Sequence, residues 1–581
     1  MRFSAWLLCF LLVGCHSLSR TGNGDSALYS ESHLDFAKWK RTPDCCAAQG
    51  GHAAVSSAGE NSSRAGVEIL KAGGNAVDAA VATAFMLAVE RPQSVGLGGG
   101  GFMTLHLKDQ GDFFVDFRET APRRATRDMF IDTHGRPLTS ASQVGARAVA
   151  VPGFVAGLYE IHQKWGKLPW KKCLEPAIRL AREGFKVYPS LADKIVAERD
   201  KLTKYDYTRS ILFRDNRPLQ IGDVLVQRDL ARTIQRVARD GKDGFYSGPV
   251  AKKINDFFQA RGGLLDMEDL AHYEVKFRDP LFATWKGYHI VTAPPPSSGG
   301  VLFVEMTNIL NGFDLDALSR QPVAYTHLLT EVMKYGYADR SKFIGDPAFV
   351  KDDYKKLLSQ AYADAIRAHI DLDRDTPSSQ ISPGRYLPSD HGTSHLDVID
   401  EDGDAVSSTL TINWYFGARF AVPGVGAFMN DEMDDFSIKP GVQNVYGLTG
   451  GEENAIAPGK RPVSSMMPTI VLDGSRPRLV LGGAGGSRIM SAVIQVMLND
   501  LVVYPWDLHR AVFAPRIHHQ WLPDKLEVEH LPDDVKSKLE AMGHQVTPYG
   551  LTPVVEAAQK DPDGDYTAVF DPRSEGGADA Y

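Results

Sequence analysis

Cysteine is scarce, at five in 581 residues. Beyond Cys15 only Cys45, Cys46 and Cys173 remain, and adjacent cysteines bridge one another only with strain. Neither a disulfide framework nor a CxxC metal site is present, so the fold rests on its core, and Cys45 and Cys46 either bridge elsewhere or stay free. An excess of basic charge is also missing. Lys and Arg total 64 against 72 Asp and Glu, a formal charge of −8 with a pI near 6.1. That balance excludes nucleic acid as the main partner, because a duplex binder concentrates Lys and Arg. After the first 14 residues no apolar run approaches the roughly 20 residues that cross a bilayer, which excludes an integral membrane protein. There is no GxxxxGK[ST], no HExxH and no GxSxG, so the usual phosphate-cradle, zinc-protease and serine-hydrolase signatures are absent. No internal repeat or low-complexity tract occurs.

The N-terminus does carry a signal. Arg2 precedes the apolar stretch Ala5 to Val13, the form of a short secretory peptide over 1–14. Leu12-Val13-Gly14-Cys15 resembles the bacterial lipobox, in which the signal is removed before an acylated Cys. His16 is not the Asp that marks inner-membrane retention, so the expected location is the periplasm, anchored by lipid to the outer membrane. Residues 15–45 read as a polar tether.

Helices are expected at Ser63 to Lys71 before Gly73-Gly74, at Ala76 to Val89, which is apolar on nearly every side, around Leu230 to Val237, from Pro249, and over Thr326 to Phe343. Strands are expected at Phe102 to Leu107 and Asp112 to Phe117. From about residue 393 the texture changes to short alternating strands with Gly-rich turns. Gly96 to Gly101 satisfies GxGxxG but follows a helix and precedes a strand, the reverse of dinucleotide-binding order, so it reads as a tight connection. His518-His519 cannot both face one metal from adjacent strand positions and read as structural.

One hairpin carries chemistry. Thr393 to Ile399, the turn around Asp402-Gly403, and the run Ala405 to Asn413 form two alternating strands. Thr393 and Thr411 are equidistant from Asp402, so their hydroxyls should lie near each other across the pair, with Asn413 on the face of Thr411. Cross-strand threonines are common in structural sheets, so the pair alone identifies nothing.

From Ala54 to Tyr581 the sequence resembles the gamma-glutamyltransferases of the N-terminal-nucleophile hydrolase superfamily. The resemblance is carried by Ala72 to Ala80, Leu97 to Phe102, Asp116-Phe117-Arg118-Glu119, Val151-Pro152-Gly153, Pro296 to Gly300, Met433 to Phe436, Arg461 to Met466 and Gly485 to Arg488. It implies an α+β fold, a four-layer αββα sandwich, and self-cleavage at Gly392–Thr393 into a large subunit (46–392) and a small one (393–581) forming one domain. Cleavage frees an α-amino group, whose pKa of about 7.7 to 8.0 lets it accept the proton of the Thr393 hydroxyl. Further implications are that Thr411 orients Thr393, that Arg118 grips the α-carboxylate of a γ-glutamyl group with Ser464 and Ser465, and that Asp435 and Glu432 hold its ammonium with Asn413. Glu432 stands where many bacterial relatives have Gln. The amides of Gly485 and Gly486 match the oxyanion hole, and Pro440 to Pro458 resembles the bacterial lid loop, with Tyr446 closing over the pocket. Related glutaryl acylases generally lack that loop. The implied donors are glutathione or other γ-glutamyl compounds, the acceptors water, amino acids or peptides, and no cofactor or metal is implied. The alternatives are an acylase or poly-γ-glutamate-processing enzyme on the same scaffold, or a non-catalytic surface lipoprotein.

Overall fold

Two antiparallel sheets of seven strands organise the chain. In order across the first lie Gly577–Ala580, Ala54–Ser57, Thr393–Ile399, Ala405–Thr411, Gly100–Leu107, Gly111–Asp116 and Lys276–Arg278. Across the second lie Ala47–Gly50, Tyr566–Val569, Val554–Lys560, Arg476–Ala484, Thr469–Asp473, Tyr288–Thr292 and Leu281–Trp285. The computed structural model describes residues 46–351, 353–381, 393–439, 451–549 and 552–581. The signal segment with Cys15, the tether with Cys45, Gly392 and Tyr446 lie outside the described residues. Within them, no helix is long and apolar enough to cross a membrane. Cys173 is buried and forms no disulfide.

Three apolar clusters show how the sheets are covered. Leu396, Val398, Val406 and Leu410 pack with the helices Glu60–Lys71, Ala76–Glu90, Phe154–Trp165 and Trp170–Glu183. Leu479, Leu481, Val471 and Val555 pack with Gly299–Leu310, Pro322–Phe343 and Arg488–Leu498. A smaller cluster joins Ala54, Ile399 and Ala405 of one sheet to Val291, Ile470 and Val480 of the other. The helix Ala76–Glu90 is buried along its whole length, as its uniform apolarity demands, and opens on a capping box between Asn75 and Asp78.

The alternation in the two central strands has a meaning the sequence does not reveal. Both faces are buried, so the pattern separates an apolar face toward helices from a polar face toward the second sheet. On that polar face His395 bonds Thr409 Oγ1 at 2.8 Å and Asp397 Oδ1 at 3.0 Å, and the Ser407 hydroxyl donates to Asp397 at 2.8 Å. The turn around Gly403 closes a hairpin as expected, and the turn around Gly564 closes another. The glycine run joins the helix Ala76–Glu90 to the strand beginning at Gly100. A Cβ on Gly99 would lie 2.1 Å from the Thr411 carbonyl oxygen, so glycine is what lets the chain lie against that strand.

Candidate active site

Thr393 is the first residue of its strand and its Cα partner is Thr411, the register expected from the turn. Thr393 is half-buried and Thr411 buried. The second strand ends at Thr411 instead of continuing to Asn413. The Thr411 hydroxyl accepts the Asn413 N–H at 2.8 Å and Asn413 turns into the left-handed region at φ 73°, so a local side-chain bond outcompetes the ladder. Asn413 therefore reaches the site from a turn, donating its side-chain amide to the Asp431 carbonyl at 3.0 Å.

The strand Arg476–Ala484 of the neighbouring sheet ends beside this hairpin. A Cβ on Gly482 would meet the His395 ring at 2.2 Å, and Leu481 O accepts from Ser407 at 3.2 Å. Residue numbers rise along one strand as they fall along the other, so Ala484 and the following Gly485-Gly486 lie at the Thr393 end. Gly485 (φ 126°) and Gly486 (φ 60°) occupy conformations that favour glycine, and both precede the helix Arg488–Leu498. Their carbonyls already accept the first helical N–H groups at 3.2 and 2.9 Å.

The charged part of the site is built around Arg118, which is 1% exposed. Its backbone N–H donates to Asp116 Oδ1 at 2.9 Å, and its carbonyl accepts from Tyr273 at 2.8 Å and Arg461 at 3.3 Å, so the side chain starts from a fixed point. One guanidinium nitrogen donates to Glu432 Oε1, the other to Asp435 Oδ2 and, at 3.3 Å, to the Val463 carbonyl. Glu119 stands 3.6 Å away. Glu432 and Asp435 come from one 3₁₀ turn, held by Asn430, whose side chain accepts from Glu432 N and Ala150 N and donates to Gly98 O and Ala150 O.

Three buried carboxyls thus crowd around the Arg118 guanidinium. Burial pushes Glu119 up to about 8, Glu432 well above the ordinary carboxyl range, and Asp435 upward, against the pull of Arg118. The arrangement therefore holds protons near neutral pH. Chemically, such a cluster can offer a fork to a carboxylate and acidic oxygens to an ammonium.

Ser464 and Ser465 follow Val463 directly. The Ser464 carbonyl accepts from both the backbone and hydroxyl of Ser298 at 2.7 Å, and the Ser465 hydroxyl accepts from Arg340 at 3.0 Å. Arg340 also donates to Ser298 Oγ at 2.7 Å. Sequence reading assigns no role to Arg340, Asn430 or Asp431. The signal for Arg340 in the sequence is only its place in an aromatic-rich helix. His518 and His519 are satisfied by Ser491, Gln520 and Asp524, as expected of structural histidines.

Comparison with known proteins adds to this geometry. The sequence model of the family described as gamma-glutamyltranspeptidase matches residues 62–581. The chain is 43% identical over 524 residues to the glutathione hydrolase proenzyme of Escherichia coli (strain K12), covering 90% of each chain. Among solved structures, cephalosporin acylase from Bacillus halodurans superposes with a TM-score of 0.82 at 27% identity, covering 94% of this chain and 98% of that one. The Helicobacter pylori gamma-glutamyltranspeptidase gives 0.55 at 39% identity, covering 56% of this chain and 93% of that one.

Proposed function

The chain belongs to the gamma-glutamyltranspeptidase family, whose activity on γ-glutamyl compounds as hydrolase and transferase it carries, and from that premise we propose how its own residues act. The precursor cuts itself at Gly392–Thr393. The freed α-amino group of Thr393 takes the proton of the Thr393 hydroxyl, and the oxygen attacks the γ-glutamyl carbonyl. The tetrahedral oxyanion is met by the amides of Gly485 and Gly486. The proton passes to the leaving amine, the γ-glutamyl ester on Thr393 remains, and water or an amino acid or peptide amine resolves it. Thr411, already bonded to the Asn413 N–H, orients the nucleophile from across the strand pair.

The observation that carries this reading is the exchange of partners available at Arg118. In this structure its fork is engaged by Glu432 and Asp435. A γ-glutamyl group brings its own carboxylate to the fork and its own ammonium to those carboxyls, with Asn413, Ser464 and Ser465 completing the pocket. The zwitterion thereby adds one cation and one anion to the cluster, each meeting an opposite charge, which offsets the cost of burying it. The likeness to a cephalosporin acylase supports a second reading, an acylase or poly-γ-glutamate-processing enzyme on this scaffold. A glutaryl group has no ammonium, however, and would leave Glu432 and Asp435 unmatched, so the site favours glutamyl donors over glutaryl ones. A non-catalytic lipoprotein has no use for such a pocket.

Finer features belong to the same proposal. The two sheets and their helical covers form an αββα sandwich in which residues 46–392 and 393–581 act as one domain, a heterodimer after cutting. Residues 1–14 direct export, Cys15 is acylated, and 15–45 tether the enzyme in the periplasm. Tyr446 closes over bound donor. The intact mass of purified protein tests the central step: two fragments parted at Gly392–Thr393 are expected, with one uncut chain and no turnover of a γ-glutamyl anilide in Thr393→Ala. Undiminished turnover by that variant would falsify the mechanism.

A further inference from the structure

Far along the chain from Thr393, the helix Pro322–Phe343 and the residue after Gly543 bring two buried histidines together. His327 Nδ1 faces His544 Nε2 at 2.8 Å. The other nitrogens have fixed partners. His327 Nε2 lies 2.7 Å from the Asp371 carbonyl, which can only accept, so that nitrogen carries the hydrogen. His544 Nδ1 lies 2.8 Å from Asp375 Oδ1, a carboxylate oxygen that also accepts from Lys334, so it too donates. In neutral rings both facing nitrogens are then bare lone pairs, an arrangement that repels unless something positive lies between them.

Two more observations point the same way. Glu331 follows His327 by one helical turn, so both project from one face of the helix. Its Oε1 accepts from Lys334 at 3.0 Å and from Thr376 N at 3.3 Å, while Oε2 is buried without a hydrogen-bond partner. The ligand atoms of His327, Glu331 and His544 all lie within 4.8 Å of one another. The charge is also unbalanced: among the described residues, Lys334 is the one Lys or Arg within 4.0 Å of Glu331, Asp375 and Asp524.

We propose that His327 Nδ1, His544 Nε2 and the Glu331 carboxylate bind one divalent transition ion of the zinc class. Two imidazoles and a carboxylate are a donor set suited to Zn²⁺. Asp371 O and Asp375 are the outer partners that fix each ring's tautomer, as metal-bound histidines require. A shared proton would relieve the lone-pair clash but leave Glu331 Oε2 without a partner and a negative excess in place. An ion answers all three. Tetrahedral zinc holds its ligand atoms about 3.3 Å apart, so the rings separate by roughly half an ångström on binding. The ion would join His327 and Glu331, which precede the proposed cut, to His544, which follows it.

The test uses the full chain without an oligohistidine tag, stripped with chelator, reloaded with Zn²⁺ alone and passed through gel filtration. About one retained zinc per chain is expected, with Asp375→Asn weakening retention about 10- to 100-fold and His544→Ala abolishing it. Because His544→Ala can fail to fold, Co²⁺ is added to the stripped wild type as well, where ligand-field absorption of a low-symmetry nitrogen-oxygen site is expected. Absence of both retained zinc and that absorption in the folded wild type overturns the proposal in favour of a shared proton. Undiminished zinc in the folded variants overturns it in favour of another site.

Discussion

Replacing Arg118 by Lys isolates the fork from the charge. A cation remains opposite Glu119, Glu432 and Asp435, so the buried carboxyls keep a counter-ion and the fold survives. What is lost is geometry. The guanidinium addresses Glu432 with one terminal nitrogen and Asp435 with the other, while its Nε donates to the Pro462 carbonyl at 3.4 Å. An ammonium is a single point on a flexible stem and cannot span those partners, or both oxygens of a substrate carboxylate, together. Losing one hydrogen bond to a charged group costs about 1.5–3 kcal/mol, which at about 1.4 kcal/mol per decade raises KM for a γ-glutamyl donor about 10- to 150-fold. The carboxylate lies at the far end of the substrate from the reacting carbonyl, so kcat should move far less, and kcat/KM falls with KM. The assay is initial-rate release of p-nitroaniline from γ-glutamyl-p-nitroanilide, on protein whose mass confirms the same cleavage as wild type. A KM within about threefold of wild type would refute the assignment of Arg118 to the donor's carboxylate.

Two further variants probe separate parts of the site. Gly485→Ala forces a side chain onto φ 126° with its Cβ 2.8 Å from Pro553 Cα; displacing that amide should lower kcat about 10²- to 10³-fold, read from steady-state kinetics on cleaved enzyme. Glu119 is raised to about 8 by burial, so between its unfolded value near 4.5 and about 8 the folded protein holds a proton that the unfolded chain has released. Folding stability contributed by this group is full below about 4.5 and is lost as pH rises toward 8. Thermal melts across that window should therefore decline more steeply in wild type than in Glu119→Gln, and parallel slopes would remove the buried protonated carboxyl from the account.

Some of this was legible in the residues and some was not, for reasons of distance along the chain. The Thr393–Thr411 register could be counted because a short Gly-containing turn and strict two-residue alternation fix every pairing between them. The end of the second strand could not, since the bond from Asn413 N to Thr411 Oγ1 is a local competitor that polarity patterns do not register. Arg118, Asp435 and Ser464 are reached through family motifs; nothing in a spacing that sets Arg118 317 residues from Asp435 brings them together. Arg340 was missed for the same reason: its partners Ser298 and Ser465 lie in other segments, and inside a helix its side chain looks like any surface cation.

Strand order has a last implication. In both sheets, strands from before residue 392 neighbour strands from after it, so neither portion owns a complete hydrogen-bonded ladder. A nick at that bond is topologically silent: it removes one covalent link and no inter-strand bond. On the proposed cut, folding would precede scission, because each piece alone leaves central strands without their ladder partners.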